Sequence, residues 1–382
     1  MNAPPSDANH ARRKRLLILL AAVFAAAALA YGVHWFLHGR NHESTEDAYV
    51  AGNLIRITPR IDGTVVAVLA DDTDHVSRGQ VLVRLDDTDA RLALDRAEAD
   101  LAETVRGISQ SFANRSQQGA NLAVKQRAFA QAEADLERRQ KALAGRIISK
   151  EEAEHALAAR DQAKSELDLA RAQLAAASAI VGGTSVPTHP AVKQAEARVR
   201  EAWLALGRCV IRAPEEGQVA KRSVQIGQHV SSGNALMALV PMLQLWVDAN
   251  FKEDQLKGMA IGQPAELTSD LYGGDVTFRG KVAGFSPGTG SVFSLLPAQN
   301  ASGNWIKIVQ RLPVRIALDP RELARHPLRV GLSMKVTVET GAAGTDMKQA
   351  ATLYQTSIYE DDMQGVEERI RNIVLANLAG RG

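Results

Sequence analysis

The sequence predicts an α+β chain: a small two-fold β-sandwich split by a long antiparallel coiled-coil hairpin, then a small β-barrel, behind a single N-terminal transmembrane helix. Three observations carry this reading. One pattern of turn glycines and core-facing apolar residues occurs twice, far apart in the chain. The stretch between the copies is rich in Ala, Arg, Glu and Leu and repeats its apolar positions every seven residues. After the second copy come Val- and Ile-rich runs of about eight residues, divided by Gly, Pro and Asp turns.

The chain has 382 residues, too many for one ordinary core, so several units are expected. Lys+Arg total 45 and Asp+Glu 43, for a net charge of +2. That balance argues against a nucleic-acid-binding face, which needs concentrated positive charge. Cys209 stands alone, so neither a disulfide framework nor a thiolate zinc site can form, and it reads as a buried inert thiol.

Arg12, Arg13, Lys14 and Arg15 close a basic tail (1–15) that precedes an apolar run over 16–37, interrupted only by His34. The run is long enough to span a bilayer as a helix, and the basic cluster holds its N-terminal side in the cytoplasm. Tyr31 and Trp35 fall where the far interface would be. Ala28–Ala30 would also serve as a signal-peptide cleavage site, but the apolar run continues past it, which favours an uncleaved anchor. Either way, everything after residue 40 is exported.

One offset of 154 residues, from Gly63 to Gly217, aligns Ile57, Val65, Val76, Gly79, Leu82 and Leu85 with Ile211, Val219, Val230, Gly233, Leu236 and Leu239 without a gap. Neither hairpin module can bury its apolar face alone, so 44–87 and 209–241 are expected to pack against each other as one sandwich. Residues 44–54 could pair with the barrel instead. Sandwiches of this kind also carry lipoyl or biotinyl groups on a lysine at the turn joining the halves. Here that turn is replaced by the whole insert, so the unit is lipoyl-like in fold and no cofactor is expected.

The insert (88–208) sets Leu94, Leu101, Ile108, Leu122, Phe129, Leu136 and Leu143 on a spacing of seven, broken once at Arg115. A break at 145–148 is followed by Ser149 and Glu152, a capping box that starts a second helix, so the tip lies near 144–149. That helix carries Ala163, Leu167, Ala170, Leu174, Ala177 and Val181 at alternating spacings of four and three. It stops at Gly182 and Gly183; Pro187 and Pro190 then impose an extended kink before the helix resumes to about Gly207. At ~1.5 Å per residue each arm is on the order of 80 Å long.

Residues 242–341 form the expected barrel, with turns at 262–264, 272–274, 287–290 and 319–320. In the tail (342–382), Val366, Ile370, Ile373, Val374 and Leu378 mark a short amphipathic helix whose docking site the pattern leaves open.

No catalytic constellation emerges, and the chain does not read as an enzyme. His34, His38 and His42 recur every four residues but lack the Asp or Cys partners of a metal site. Residues 287–291 lack the Lys-Ser/Thr ending of a phosphate loop. The carboxylates at 71–74 and 86–89 flank turns and suit capping or solvent.

Five segments carry a family resemblance: Thr45–Val50, Ala202–Leu206, Leu245–Glu253, Phe293–Asn300 and Gly303–Val314. With the anchor and the split sandwich, they resemble the periplasmic adaptor (membrane fusion) proteins of the HlyD family, and among these the EmrA type. The resemblance implies an inner-membrane, single-pass protein with most of its chain in the periplasm. It would link a major-facilitator drug/proton antiporter to a TolC-like outer-membrane channel, as a trimer or hexamer. It also implies contact with hydrophobic drugs, for which no residue here singles out a site.

The family's channel-docking pattern at the hairpin tip matches Arg139, Leu143 and Ser149, with Gln140 where an aromatic or leucine is usual. Each also has a local role to play: Arg139 capping carbonyls, Leu143 in the seam, Ser149 as N-cap. Two other readings compete with drug efflux: an adaptor for ABC-driven type I secretion or peptide export, and an envelope scaffold with no transport role.

Overall fold

The computed structural model describes residues 8–34, 41–290, 292, 309–344, 354–359 and 363–378. Trp35, His38 and the end of the apolar run, together with 293–308, lie outside the described residues.

The two repeats do not stack as separate hairpins, as the sequence suggested; they exchange strands. The first supplies β2 (Ile55–Ile57), β3 (Gly63–Val68), β4 (His75–Val76) and β5 (Val81–Leu85). The second supplies β6 (Val210–Arg212), β7 (Gly217–Arg222), β8 (His229–Val230) and β9 (Met237–Val240). One sheet runs β2-β9-β7-β4 and the other β6-β5-β3-β8, so each contains strands of both repeats. The reason is edge pairing: each short hairpin has an open edge, and a strand of the other copy satisfies its backbone groups.

The repeat offset is visible in single hydrogen bonds. Gly79 N–H donates to Ala213 O at 2.8 Å, and its counterpart Gly233 N–H to Pro59 O at 3.0 Å. Both glycines sit in the left-handed region, at φ 82° and 86°. Gly217 has a different reason to be glycine, because a Cβ there would lie 2.5 Å from Val240 O. Leu82, Leu236 and Leu239 fill the space between the sheets together with Cys209, whose thiol is pushed up by burial.

β1 (His42–Ala51) belongs to the barrel and not to the sandwich, which therefore begins at β2. The closed order is β1-β10-β13-β12-β11-β14, with β10 Trp246–Lys252, β11 Pro264–Ser269, β12 Thr277–Phe285, β13 Arg311–Leu318 and β14 Ser333–Glu339. β1 pairs antiparallel with β10 and β14 and buries Ala48 and Val50, covering two edges that would otherwise stay open. Phe251, Phe278, Leu267 and Ile316 form the centre of the barrel core. Asp319-Pro320 is more than a turn: Asp319 caps Arg321 N–H at 2.9 Å and Pro320 opens the short helix α5 (Pro320–Arg325).

Of the three spaced histidines, His42 starts β1, so they do not share a helix. Among the described residues no group of side chains could hold a metal. Helix α1 (Ala8–His34) presents exposed apolar side chains from Leu16 to Leu29. Among the described residues no helix is long and apolar enough to cross a membrane.

The insert is α2 (Thr88–Ala144), α3 (Lys150–Val181) and α4 (Pro190–Arg208). Where an extended kink was expected, Val186–Thr188 make one 3₁₀ turn between extended Ser185 and His189. Ser185 N–H donates to Thr188 Oγ1 at 2.9 Å, which closes the turn. α6 (Val366–Asn377) docks where the pattern gave no answer, against α2 and α4. Val366, Ile370 and Val374 join Leu94, Leu101, Val105, Val192 and Val199 in one core, flanked by the Arg369–Glu98 and Arg200–Glu367 pairs.

Two stability predictions follow from this packing. Thr73 sits at φ 76°, where its repeat counterpart is Gly227 at φ 80°. A β-branched residue is strained there, so Thr73→Gly should stabilise the sandwich by about 1 kcal/mol in urea unfolding, and Gly227→Thr should destabilise it. Ile370→Ala should cost about 2–4 kcal/mol and deprotect α6 in hydrogen exchange while the barrel stays protected.

Candidate functional site

The hairpin is fixed at its root before its tip matters. β5 ends at Leu85 and α2 starts at Thr88; α4 ends at Arg208 and β6 starts at Val210. Leu85 N–H donates to Cys209 O at 2.8 Å, tying the outgoing and returning chains together. Asp86, one residue ahead of the N-cap Asp87, accepts from Thr88 N–H at 3.0 Å and from the Thr88 hydroxyl at 2.6 Å. Those two bonds hold its carboxyl below the usual range. Arg91 pairs with Asp87 beside it, so the acidic cluster at 86–89 is structural.

Along the shaft, burial of the predicted seam falls into two classes. Leu94, Leu101, Leu136 and Leu167 are buried; Ile108, Leu122, Phe129, Leu143 and Leu174 are half-buried. Near the root α6 adds a third helix over Leu94 and Leu101. Leu136 and Leu167 are buried in the two-helix part of the shaft, so helix number alone does not set seam burial. Small residues Ala153, Ala156, Ala170 and Ala177 on α3 are buried, which permits close approach to α2. Lys125 bridges to Glu166 across the pair at 2.7 Å and holds the Glu166 carboxyl low.

At the tip the three pattern residues sit within one turn-and-a-half of the loop but do not form a cluster with each other in the hydrogen-bond network. Arg139 does not cap carbonyls, as its position suggested. Its Nε donates to Asp135 at 2.9 Å, and Arg138 bonds the other carboxylate oxygen. Both bonds, Arg138 first, hold Asp135 below the usual range. The helix end is closed by backbone groups instead, with Gly145 N–H donating to Lys141 O at 3.1 Å. Arg146 takes the left-handed turn at φ 56°.

Ser149 accepts from Glu152 N–H at 3.2 Å, and Glu152 reciprocates by accepting Ser149 N–H at 3.1 Å. The apex residue that pattern reading missed is Ile147, 79% exposed. Its signal was available: an apolar residue within a helix-breaking loop, with no seam to join. The tip thus offers an exposed isoleucine, a half-buried leucine and a tethered guanidinium, which suits a partner groove with an apolar floor and acceptor oxygens.

Comparison with known proteins decides the family. A family model described as the EmrA alpha-helical hairpin domain matches residues 88–209. The chain is 48% identical over 364 residues to the fatty acid resistance protein FarA of Neisseria gonorrhoeae, covering 95% of this chain and 92% of the relative. It is 47% identical over 354 residues to the multidrug export protein EmrA of Escherichia coli (strain K12), covering 92% and 91%. The chain belongs to the EmrA family of periplasmic adaptor proteins. Among solved structures, that of the periplasmic adaptor protein EmrA matches with a TM-score of 0.40 at 21% identity, over 78% of this chain and 98% of that one. MacA from Actinobacillus actinomycetemcomitans matches with a TM-score of 0.42 at 18% identity, over 78% and 80%.

The capping box gives the tip a measurable test. Ser149→Ala removes one side-chain acceptor and should cost about 1 kcal/mol of local stability, seen as faster amide exchange at 150–153 with the sandwich unchanged.

Proposed function

We propose that the chain is the adaptor of a tripartite multidrug efflux pump, joining an inner-membrane major-facilitator drug/proton antiporter to a TolC-like outer-membrane channel. The observation that carries this is the hairpin rooted at both ends in a β unit, with a reach on the order of 80 Å. A rod so attached transmits position and supplies no chemistry. Export energy comes from the transporter's proton gradient, and the adaptor is not an enzyme.

The exposed apolar face of α1 supports anchoring. Leu16, Leu17, Ile18, Leu19, Val23, Phe24 and Leu29 are all more than half exposed, an arrangement stable in lipid and unfavourable in water. We take 16–37 as a single membrane span, with the basic tail cytoplasmic and the remainder periplasmic. Self-assembly into a trimer or hexamer is supported by shaft residues Val124, Leu157 and Leu169, which face outward although apolar. Relatives named for multidrug export and for fatty acid resistance support hydrophobic compounds as the cargo class.

Arg139, Leu143 and Ser149, with Ile147 at the apex, are the proposed channel contact. Leu143→Asp in the full chain should leave folding, measured by circular dichroism, and membrane fractionation intact, yet abolish crosslinks to the channel and drug resistance. Persistent crosslinks and resistance would overturn the tip assignment.

A further inference from the structure

The returning arm of the hairpin is interrupted between α3 and α4. Gly182 and Gly183 take the left-handed region at φ 55° and 67°, the 3₁₀ turn follows at Val186–Thr188, and Pro190 opens α4. Side chains brace the gap. Thr184 Oγ1 donates to Val181 O at 2.7 Å. The His189 ring reaches both helices: its Nδ1 accepts Ala191 N–H at 3.2 Å, so its Nε2 is the donor to Ile180 O at 3.2 Å.

Helix α2 runs unbroken past this gap, yet its own sequence is weak there. The Lys125–Glu166 bridge sets the antiparallel register of the shaft, and counting back along both arms brings Gly107 opposite the break. Consistent with that register, the 3₁₀ turn lies against α2, and Val186 shares a core with Val105 and Ile108. A Cβ on Gly107 would meet nothing within 4 Å beyond its own helix, so packing does not call for glycine, which weakens a helix interior. Ser111 Oγ donates to Gly107 O at 3.1 Å and Thr104 Oγ1 to Asp100 O at 2.7 Å, a back-bonding that bends helices. The Ser109 hydroxyl is buried without a hydrogen-bond partner among the described residues, a further cost at the same height.

α6 covers the shaft below this level and ends at it. Near the root Glu367 pairs with Arg200 of α4 at 2.6 Å, and Arg369 pairs with Glu98 of α2. At the other end Asn377 Oδ1 accepts from Arg106 at 2.6 Å, one residue short of Gly107. Beneath the break the shaft is therefore three helices thick. Above it two helices continue from a level where one is interrupted and the other is poorly supported. Kinks arise at such places.

We propose that the shaft carries a bending joint at 104–111 and 182–189, and that α6 is the splint that keeps the shaft beneath it straight. The arm above swings as one piece, so the tip changes its aim while the root stays in place. The inference does not depend on what the tip meets, because the motion belongs to a single chain.

The test is pulsed spin-label distance measurement on the full chain in phosphatidylcholine nanodiscs. Labelled chain is diluted into unlabelled chain so that only distances within one molecule are read, and Cys209, being buried, stays unlabelled. Nitroxides on the exposed positions of Thr64→Cys and Arg96→Cys span the sandwich and the lower shaft; those on Thr64→Cys and Gln126→Cys span the joint. The first pair should give a narrow distribution and the second a broad one. Gly107→Ala should narrow the second. Gly119→Ala should not, because Gly119 also has open space around it but faces the continuous part of α3.

A chain ending at Tyr359, which lacks α6, should broaden the first pair, and Ile370→Ala in the full chain should shift it the same way. Circular dichroism separates a freed joint from a lost fold. A joint-spanning pair as narrow as the first, equal effects of the two alanine variants, or an unchanged first pair without α6 and with Ile370→Ala would each overturn the proposal.

Discussion

Strand exchange between the two repeats is the constraint from which the remaining architecture follows. Because β2 must pair with β9, and β6 with β5, neither repeat completes a sheet without the other. The chain therefore leaves the sandwich after β5 and returns at β6, the two strands being paired side by side. Any insert between them has its ends fixed a few ångströms apart. A long helical insert can satisfy that only by folding back on itself, so a hairpin is the necessary outcome. Loop-closure entropy grows only logarithmically with length, so an insert of this size costs little more to close than a short one.

The root and the tip of the hairpin are held by different physics. At the root, α6 converts a two-helix pair into a three-helix core, with Leu101, Val105, Val192, Val199 and Val366 wholly out of water. Apolar burial at ~25 cal/mol per Å² outweighs the flanking exposed ion pairs, which contribute at most about 1 kcal/mol each. Toward the tip the two-helix seam alternates buried Leu136 with half-buried Phe129 and Leu143, and surface pairs such as Arg139–Asp135 and Lys141–Glu137 line its outside. The three-helix root sets the direction of the rod, and its tip, in the proposed pump, meets a partner.

The barrel is coupled to the N-terminus in the same economical way. Its closing strand β1 is the first element after α1 among the described residues, and Thr45 fastens it to β10 by donating to Asn250 O at 2.9 Å. If α1 is anchored as proposed, tension on it would be felt first by that strand. The sandwich is shielded from it, since the chain enters β2 only after the barrel has been closed.

The sequence by itself determined the local elements, because each rests on signals within a few residues. The heptads bounded α2 at Thr88–Ala144, Ser149 and Glu152 declared the capping box of α3, and Gly182 ended it in the left-handed region at φ 55°. The repeat was equally legible, since turn glycines and inward apolar positions are dictated by backbone geometry and burial. Only the tertiary structure decided which edges pair. β1 went to the barrel, the repeats traded strands, and α6 found the hairpin root. Those choices depend on which open edge or apolar stripe lies within reach once the chain is compact, and a linear pattern carries no measure of that distance.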